Sequence, residues 1–596
     1  MTESMNTTTA LATRQPDQAG SPPPSAPKPS GQRWPRIWGP RFFKLAGFAA
    51  ALFFYRLWVI HHSGISLFFD EAQYWDWSRH LDWGFYSKPP LIAGLTWLST
   101  ALFGNGVMGV KLLTILLYPF TALAMVGLAR SLWPTSSGVR TGMVAAAVFL
   151  TLPMTGILGL ANSTDAPLLL CWTLAAWALW RAQVTNRLPY WAAFGASLGF
   201  GMMSKYTMAA FAISAVWAIF AIPGPKRGLL RAGPWLAALV ALAILAPNLI
   251  WNAQHGYPTL HHTVEITTDS ERGGGVGKAV EFLLGQIVML GPLTVVAGIL
   301  LWRTQLKQRQ NQVALNSGML GASTIWRSSI QPSMTPEELA RTGQPVAKQS
   351  ALYLASVSSF RYLWALSLPL QVIAVAQAFR ADSHVNWAAP SLVGFTLLVA
   401  SRLSLPLVSM SAPRPTRWFT AVLAVNLLLT GALLHAKDVA GDKLPSKFDI
   451  LVRMRGWQEA FAQLQPELQH PVVRGLPVLT DSRLLITESA YHLRDLNVQT
   501  VIWNPKGTAN NHYEMTRSLP NKVGQDVLLI SDDPKPTAIL NRFAIVKPLR
   551  DIKVATGPDR HLELHLFFLR GFLGYDESTY QEQSGAGILP RDDVPN

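Results

Sequence analysis

Long apolar runs separated by short polar turns fill the first three quarters of the chain. They lie roughly at 43–61, 107–129, 141–160, 166–183, 188–203, 207–223, 231–251, 279–302, 354–377, 386–402 and 416–435. A membrane-crossing helix needs about 20 mostly apolar residues, so the pattern predicts about eleven spans, the shorter ones borderline. The segment 90–104 is apolar but short and reads as re-entrant or interfacial. Beyond about residue 438 the period changes. Strand-like runs (LPVLT, TVIW, DVLLI, ELHLFFL) alternate with loops, and 456–468 is helical in pattern. Residues 438–596 therefore predict a soluble α/β domain. Residues 1–40 are polar and Pro-rich (SPPPSAPKPSGQRWPR) and predict a disordered tail. The run FKLAGFAAALFFYRLWVI is too long for a signal peptide's apolar core and reads as an uncleaved first span.

Composition agrees. Of 596 residues, 49% are hydrophobic and only 14% charged; soluble domains carry about 25% charged residues. That excludes a disordered chain and an ordinary soluble enzyme. The single cysteine, Cys171, excludes an intramolecular disulfide framework and a Cys-clustered zinc site.

The net charge of +16 would suit nucleic acid, but its distribution does not. From Asp442 onward, 18 basic residues meet 19 acidic ones. The excess lies between the apolar runs, at every second connection: Arg33, Arg36, Arg41 and Lys44; Arg130 and Arg140; Arg181 and Arg187; Lys226, Arg227 and Arg231; a basic insertion at 303–350; and Arg402, Arg414 and Arg417. Positive residues favour the cytoplasmic side. The N-terminus and the 303–350 insertion are thus expected on the cytoplasmic side of a membrane. An odd number of spans places 438–596 on the opposite, outer side, and 41–437 forms the membrane domain. No basic stretch is interleaved with aromatics, so no nucleic-acid partner is expected.

The outer connections carry a different chemistry. The first, SLFFDEAQYWDWSRHLDWGFYSKPPLIAG, holds Asp70, Glu71, Tyr74, Asp76, Asp82, Tyr86 and Lys88. The others contribute Asn162 and Asp165, Lys205, Trp251 and Asn252, then Arg380, His384 and Asn386. Asp165 is the only carboxylate between Asp82 and Glu265. STDAP before an apolar run is also a good helix start, so capping competes with function there. Each of the others has an ordinary explanation as well: a solvated acidic pair for Asp70–Glu71, a turn for Lys88-Pro89-Pro90, snorkelling for Lys205 and for Arg56 in the first span. The functional reading rests on all of them falling on one predicted face.

The runs DEAQYWDW and YSKPPLIA, then STDAPLLLCW, GFGMMSKYT, PNLIWN and HVNWAAP, give the chain a family resemblance over roughly residues 43 to 400. It resembles the bacterial polyprenol-phosphate-sugar glycosyltransferases. This family-39-like group includes the aminoarabinose transferase of lipid A and, more distantly, the protein O-mannosyltransferases. The resemblance implies a C-type membrane glycosyltransferase fold, an active site at the outer membrane surface and a sugar donor on a polyprenyl phosphate. It places Asp70 at the first-loop acid, Lys88 beside the donor phosphate and Asp165 at the second acid. Ser87 stands where the aminoarabinose transferase has a glutamate, so the resemblance does not by itself imply that enzyme's metal site or its sugar.

Such a transfer needs a base, positive charge on the leaving phosphate and a groove for a long lipid. Asp70 is the expected base, with Asp165 orienting an acceptor hydroxyl or a lysine. Arg56, Glu71, Tyr74, Tyr86, Lys88, Lys205, Asn252, His384 and Asn386 are the expected substrate-binding residues. No metal or cofactor is assigned, although Asp70 and Glu71 could hold a divalent ion. Expected partners are the polyprenyl-linked sugar, a lipid or glycan acceptor and membrane lipids. The rival reading is a transporter or lipid flippase, but these favour internal repeats and the chain has none. RGGGVGKA at 272–279 imitates a phosphate loop without its Ser/Thr or a preceding strand, and reads as a flexible loop over the cavity.

Overall fold

The computed structural model describes residues 39–133, 136–221, 231–268, 273–303, 344–381, 383–404, 415–576, 578 and 580. The predicted N-terminal tail and most of the 303–350 insertion lie outside these residues.

A helix occupies each of the predicted spans. These are α1 (Pro40–His62), α4 (Val107–Leu132), α5 (Ser136–Thr151) with α6 (Pro153–Leu158), α7 (Asp165–Thr185), α8 (Leu188–Ser204), α9 (Ala210–Ala221) and α10 (Ala232–Gln254). They continue with α12 (Val276–Leu290) followed by α13 (Pro292–Arg303), α14 (Gln344–Arg380), α15 (Ala389–Ser404) and α16 (Pro415–Leu434). Among the described residues five helices are long and apolar enough to cross a membrane: α1, α4, α10, the Val357–Arg380 part of α14, and the Thr416–Leu434 part of α16. The pair α12 and α13 makes a sixth when counted as one span, bent by 87°. Gly291, at φ 85°, supplies the left-handed turn at that bend. The run 141–160 is broken where Pro153 starts α6, because a proline disfavours helix in the residue before it. The short segment 90–104 is a 13-residue helix, α3 (Leu91–Phe103).

The core of the membrane bundle joins α4, α5, α7, α14 and α15 around Tyr118, Phe149, Trp172 and Tyr362. Two further helices lie outside it: α2 (Phe69–Trp77) in the first outer loop and α11 (Pro258–Thr268) after α10.

The C-terminal part is an α/β domain. Its strands are β1 (Val478–Thr480), β2 (Thr500–Ile502), β3 (Val527–Ser531), β4 (Phe543–Gly557) and β5 (Arg560–Phe572), in the order β2-β1-β3-β5-β4. The first three pair in parallel, while β5 runs antiparallel to both β3 and β4. The four predicted apolar runs became β1, β2, β3 and β5. The long edge strand β4 escaped the pattern because Pro548 and several charges interrupt it and its register shifts there; edge strands tolerate both. The predicted helix is α17 (Trp457–Leu468), which buries Trp457, Phe461 and Leu464 against the sheet.

This domain is docked on the first outer loop. Helix α18 (Arg483–His492), which follows β1, packs against α2. The Tyr491 ring meets Trp75 edge-on at 5.2 Å, and Tyr491 Oη donates to Asn105 O at 3.1 Å. His512, after β2, lies edge-on to Trp77 and Phe85, whose rings stack 4.3 Å apart. Arg517 pairs with Asp76 at 2.9 Å. The carboxyl ends of β1 and β2, where ligands of parallel α/β sheets collect, therefore face the loop that carries the candidate acids.

Candidate functional site

The loop between α1 and α3 is held at three points by α10 and α11. Trp251 Nε1 donates to Asp82 Oδ2 at 2.6 Å, Asn248 Nδ2 to Trp83 O at 2.8 Å, and Thr259 Oγ1 to Phe85 O at 2.8 Å. The PNLIWN motif thus anchors the loop. Asn252, expected to bind substrate, is buried in the same anchor. Its Nδ2 donates to Asn248 O at 3.0 Å and to Tyr206 Oη at 3.3 Å, so it reaches the cavity only through Tyr206.

Asp70 and Glu71 open α2 but point to different tasks. Glu71 is buried and accepts from three donors: Phe68 N at 2.8 Å, Lys111 Nζ at 2.5 Å and Asn162 N at 2.5 Å. It ties α2 to α4 and to the turn before α7, and offers no free oxygen to a substrate. The expected divalent site at Asp70 and Glu71 does not fit this donor set. Among the described residues no cluster of three His, Cys, Asp or Glu is placed to hold a metal. Lys111, which the sequence reading passed over, is the counter-ion. A lone lysine inside the apolar run VMGVKLLT was its signal, since a charge there requires a partner.

Asp70 is about one-third exposed. Its Oδ1 accepts from Arg483 Nη2 at 2.7 Å, an ion pair reaching across from the α/β domain. Nothing in the sequence pattern singled out Arg483. Its position directly after a parallel strand is the one cue it carried.

Asp165 is the first residue of α7 and does not cap it. Its buried carboxylate takes Lys205 Nζ on Oδ1 at 2.8 Å and Asn386 Nδ2 on Oδ2 at 2.7 Å. Three residues from three distant motifs thus meet at one point. Lys205 stands where α8 ends in extended backbone, just before Tyr206 begins a short turn.

Lys88 and Lys205 share a cavity of about 410 Å³. Ser87, Tyr206, Thr263, Thr267 and Gln377 add polar groups to its lining, and Ile213, Ile266, Leu370 and Ile373 make most of the remaining wall apolar. The Lys88 ammonium forms no ion pair among the described residues. Burial pushes its pKa below the ordinary lysine range and Lys205 pushes it further, while Asp70 and Asp165 oppose them. Tyr74 is buried beside the same charges. Burial raises its pKa well above the usual phenol range, and Asp70 adds to the effect. Asp70, Tyr74, Lys88, Asp165, Lys205 and Asn386 therefore form one electrostatic unit. Its open feature is a cation pair at the head of an apolar cleft.

Three other expected residues fall elsewhere. Tyr86 turns to the α/β domain, with its Oη donating to Ala509 O at 3.3 Å. His384 is exposed at the start of a short turn, and its ring faces Trp387. Arg56 is buried away from the lysines, donating to Leu150 O at 3.1 Å over the Tyr118 ring. The glycine-rich segment is tied down by Gly275 N donating to Phe379 O at 2.7 Å, and α12 begins at Val276. Arg272 lies outside the described residues.

Residues 87–251 match the family described as dolichyl-phosphate-mannose-protein mannosyltransferase. The chain is 26% identical over 484 residues to the lipid A galacturonosyltransferase RgtD of Rhizobium johnstonii, covering 80% of this chain and 88% of that one. It is 29% identical over 196 residues to the undecaprenyl phosphate-alpha-4-amino-4-deoxy-L-arabinose arabinosyl transferase of Pectobacterium atrosepticum, covering 30% of this chain and 34% of that one. Its fold is similar to that of ArnT from Cupriavidus metallidurans in the apo state, with a TM-score of 0.55 at 13% identity over 88% of this chain and 97% of ArnT. The same protein bound to undecaprenyl phosphate gives a TM-score of 0.54 at 14% identity, with the same coverage. The matched motif segment and the relative matched over most of its length make the chain similar to the polyprenol-phosphate-sugar glycosyltransferases, and the shared architecture is that of the C-type membrane fold.

Proposed function

We propose that the chain moves a monosaccharide from a polyprenyl phosphate to a hydroxyl or phosphate of lipid A or another lipopolysaccharide acceptor. The reaction takes place at the outer face of the inner membrane, with the N-terminus cytoplasmic and residues 438–596 periplasmic. The observation that carries this reading is the cavity. Two lysines at the head of an apolar cleft suit a phosphate attached to a long isoprenoid, and two carboxylates stand beside them. The acceptors named for RgtD and the carrier named for ArnT support the same assignment.

In this reading Lys88 and Lys205 hold the donor phosphate and stabilise the charge that grows on it as the bond to the sugar breaks. The isoprenoid runs along Ile213, Ile266, Leu370 and Ile373. Asp165 fixes Lys205. Asp70 takes the acceptor proton while the acceptor oxygen attacks the anomeric carbon from the opposite side, inverting it. Polyprenyl phosphate leaves with the electron pair of the broken bond. The pairing of Asp70 with Arg483 means that the α/β domain shares in building the site.

The test is reconstituted transfer from a polyprenyl-phosphate sugar to lipid A, followed by mass spectrometry. Asp70→Asn should abolish product while donor binding persists. Full turnover by Asp70→Asn would remove Asp70 as base, and loss of donor binding would recast it as a binding residue.

A further inference from the structure

A second cavity, of about 280 Å³, opens between α1, the α5–α6 break and α16. No residue lines both this cavity and the one at Lys88. Arg56 and Thr430 line it within an otherwise mostly apolar wall. Arg56 is only 3% exposed, and its Nη1 has no hydrogen-bond partner among the described residues. The Thr430 hydroxyl, also buried, has none either. Nη2 donates to Leu150 O at 3.1 Å in the last turn of α5, and the guanidinium lies 5.7 Å from the Tyr118 ring centre. A helix C-terminus and a ring face attract a cation but supply no full counter-charge. A charge in a membrane-spanning helix without one is costly.

The surroundings say what kind of anion can arrive. Tyr55, next to Arg56, bonds His435 at 2.8 Å, and Trp58, 49% exposed, stacks on His62. Tyr and Trp collect at the headgroup level of a bilayer. Phe54 on α1 and Leu428 on α16 are exposed on the flanks. The cavity thus opens toward lipid, and Arg56 lies between Tyr55 and Trp58 on the same turn of α1.

We propose that this cavity binds the phosphate of an outer-leaflet lipid, held by Arg56 Nη1 and the Thr430 hydroxyl, with an acyl chain against Leu427 and Leu434. The phosphate has two sources: an ordinary membrane phospholipid, or a phosphorylated glycolipid of the acceptor kind. The proposal does not depend on the transfer reaction, because it is read by binding alone.

The experiment is native mass spectrometry of the full-length protein in detergent, offered phosphatidylglycerol or diacylglycerol. Wild type should retain one phosphatidylglycerol and little diacylglycerol. Arg56→Gln should lose retention about 10-fold, as expected for a hydrogen bond to a charged group, and Thr430→Val by a smaller factor. Competition by lipid A, and not by its dephosphorylated form, would support the glycolipid source. Failure to compete, with phosphatidylglycerol still retained, would support the phospholipid. Equal retention of both neutral and phosphorylated lipids, or unchanged retention in both variants, would overturn the site. If Arg56→Gln does not insert, Thr430→Val decides.

Discussion

Arg483 of the α/β domain donates to Asp70 of the first outer loop at 2.7 Å, across 413 positions of sequence. The proposed base is therefore held by a residue outside the membrane bundle. Both partners are about one-third exposed, so the pair is open to an arriving acceptor. Arg483→Ala should lower kcat about 10-fold, a change of roughly 1.4 kcal/mol in barrier, with the donor KM little altered. Arg483→Lys should recover part of the loss. Steady-state kinetics on the reconstituted enzyme reads this. A rise in KM at constant kcat would mean that Arg483 binds substrate and does not position Asp70.

Lys88 must be charged to hold a phosphate, and burial has depressed its pKa. Its proton is lost at lower pH than the ordinary lysine value of about 10.4. The profile of kcat/KM should fall on the basic side earlier than for a free lysine. Lys88→Arg should move that fall to higher pH, since a guanidinium keeps its proton. Lys88→Ala should cost about 10²–10³ in kcat/KM. Coincident basic limbs for wild type and Lys88→Arg would contradict the role.

Glu71 and Lys111 form a buried pair, with side chains 2% and 0% exposed. Removing one partner strands the other, which typically costs about 3–5 kcal/mol. Lys111→Met should therefore lower the thermal midpoint in detergent sharply. The double variant Glu71→Gln with Lys111→Met should recover most of the loss. Additive losses would show that each residue acts alone.

Glu488 of α18 is buried beside Glu71 and Lys111, with both oxygens lacking hydrogen-bond partners. Burial pushes its carboxyl well above the usual range, Glu71 adds to this and Lys111 opposes it. His492, 3.3 Å away and bonded to Ser66 Oγ at 3.1 Å, is pushed down to about 3 by burial first and Arg494 second. Between the lowered His492 value and the raised Glu488 value, the contact joins two neutral groups. The folded chain keeps a proton on Glu488 that the unfolded chain releases. That stability is complete below about pH 4.3 and is lost as pH rises through the raised value. Glu488→Gln should flatten this decline, leaving the variant ahead of wild type at alkaline pH. Thermal midpoints measured across pH would refute this if the two curves ran parallel.

Much of this site was legible because charge is costly in an apolar run. Asp165 and Lys205 stood out against their surroundings and proved to be partners. Glu71 misled because one carboxylate beside another resembles a ligand pair. Only its three donors reveal a structural role. Arg56, expected to bind substrate, lines a separate cavity between α1, the α5–α6 break and α16, an arrangement set by helix packing. Tyr86, expected to bind substrate, bonds Ala509 O instead, and Arg483 carried no assignment, since both contacts exist only once the α/β domain docks.

Sequence alone determined that this chain alternates between lipid and water, and it marked which connections carry acids and lysines on one face. Transfer free energy acts on each residue locally, so that information is written along the chain. Tertiary structure alone decided which of those groups meet: Asp165 with Lys205 and Asn386, Glu71 with Lys111, Asp70 with Arg483. Hydrogen bonds and ion pairs form only when groups come within about 3–4 Å, and separations of that size between distant segments are set by helix packing and domain docking.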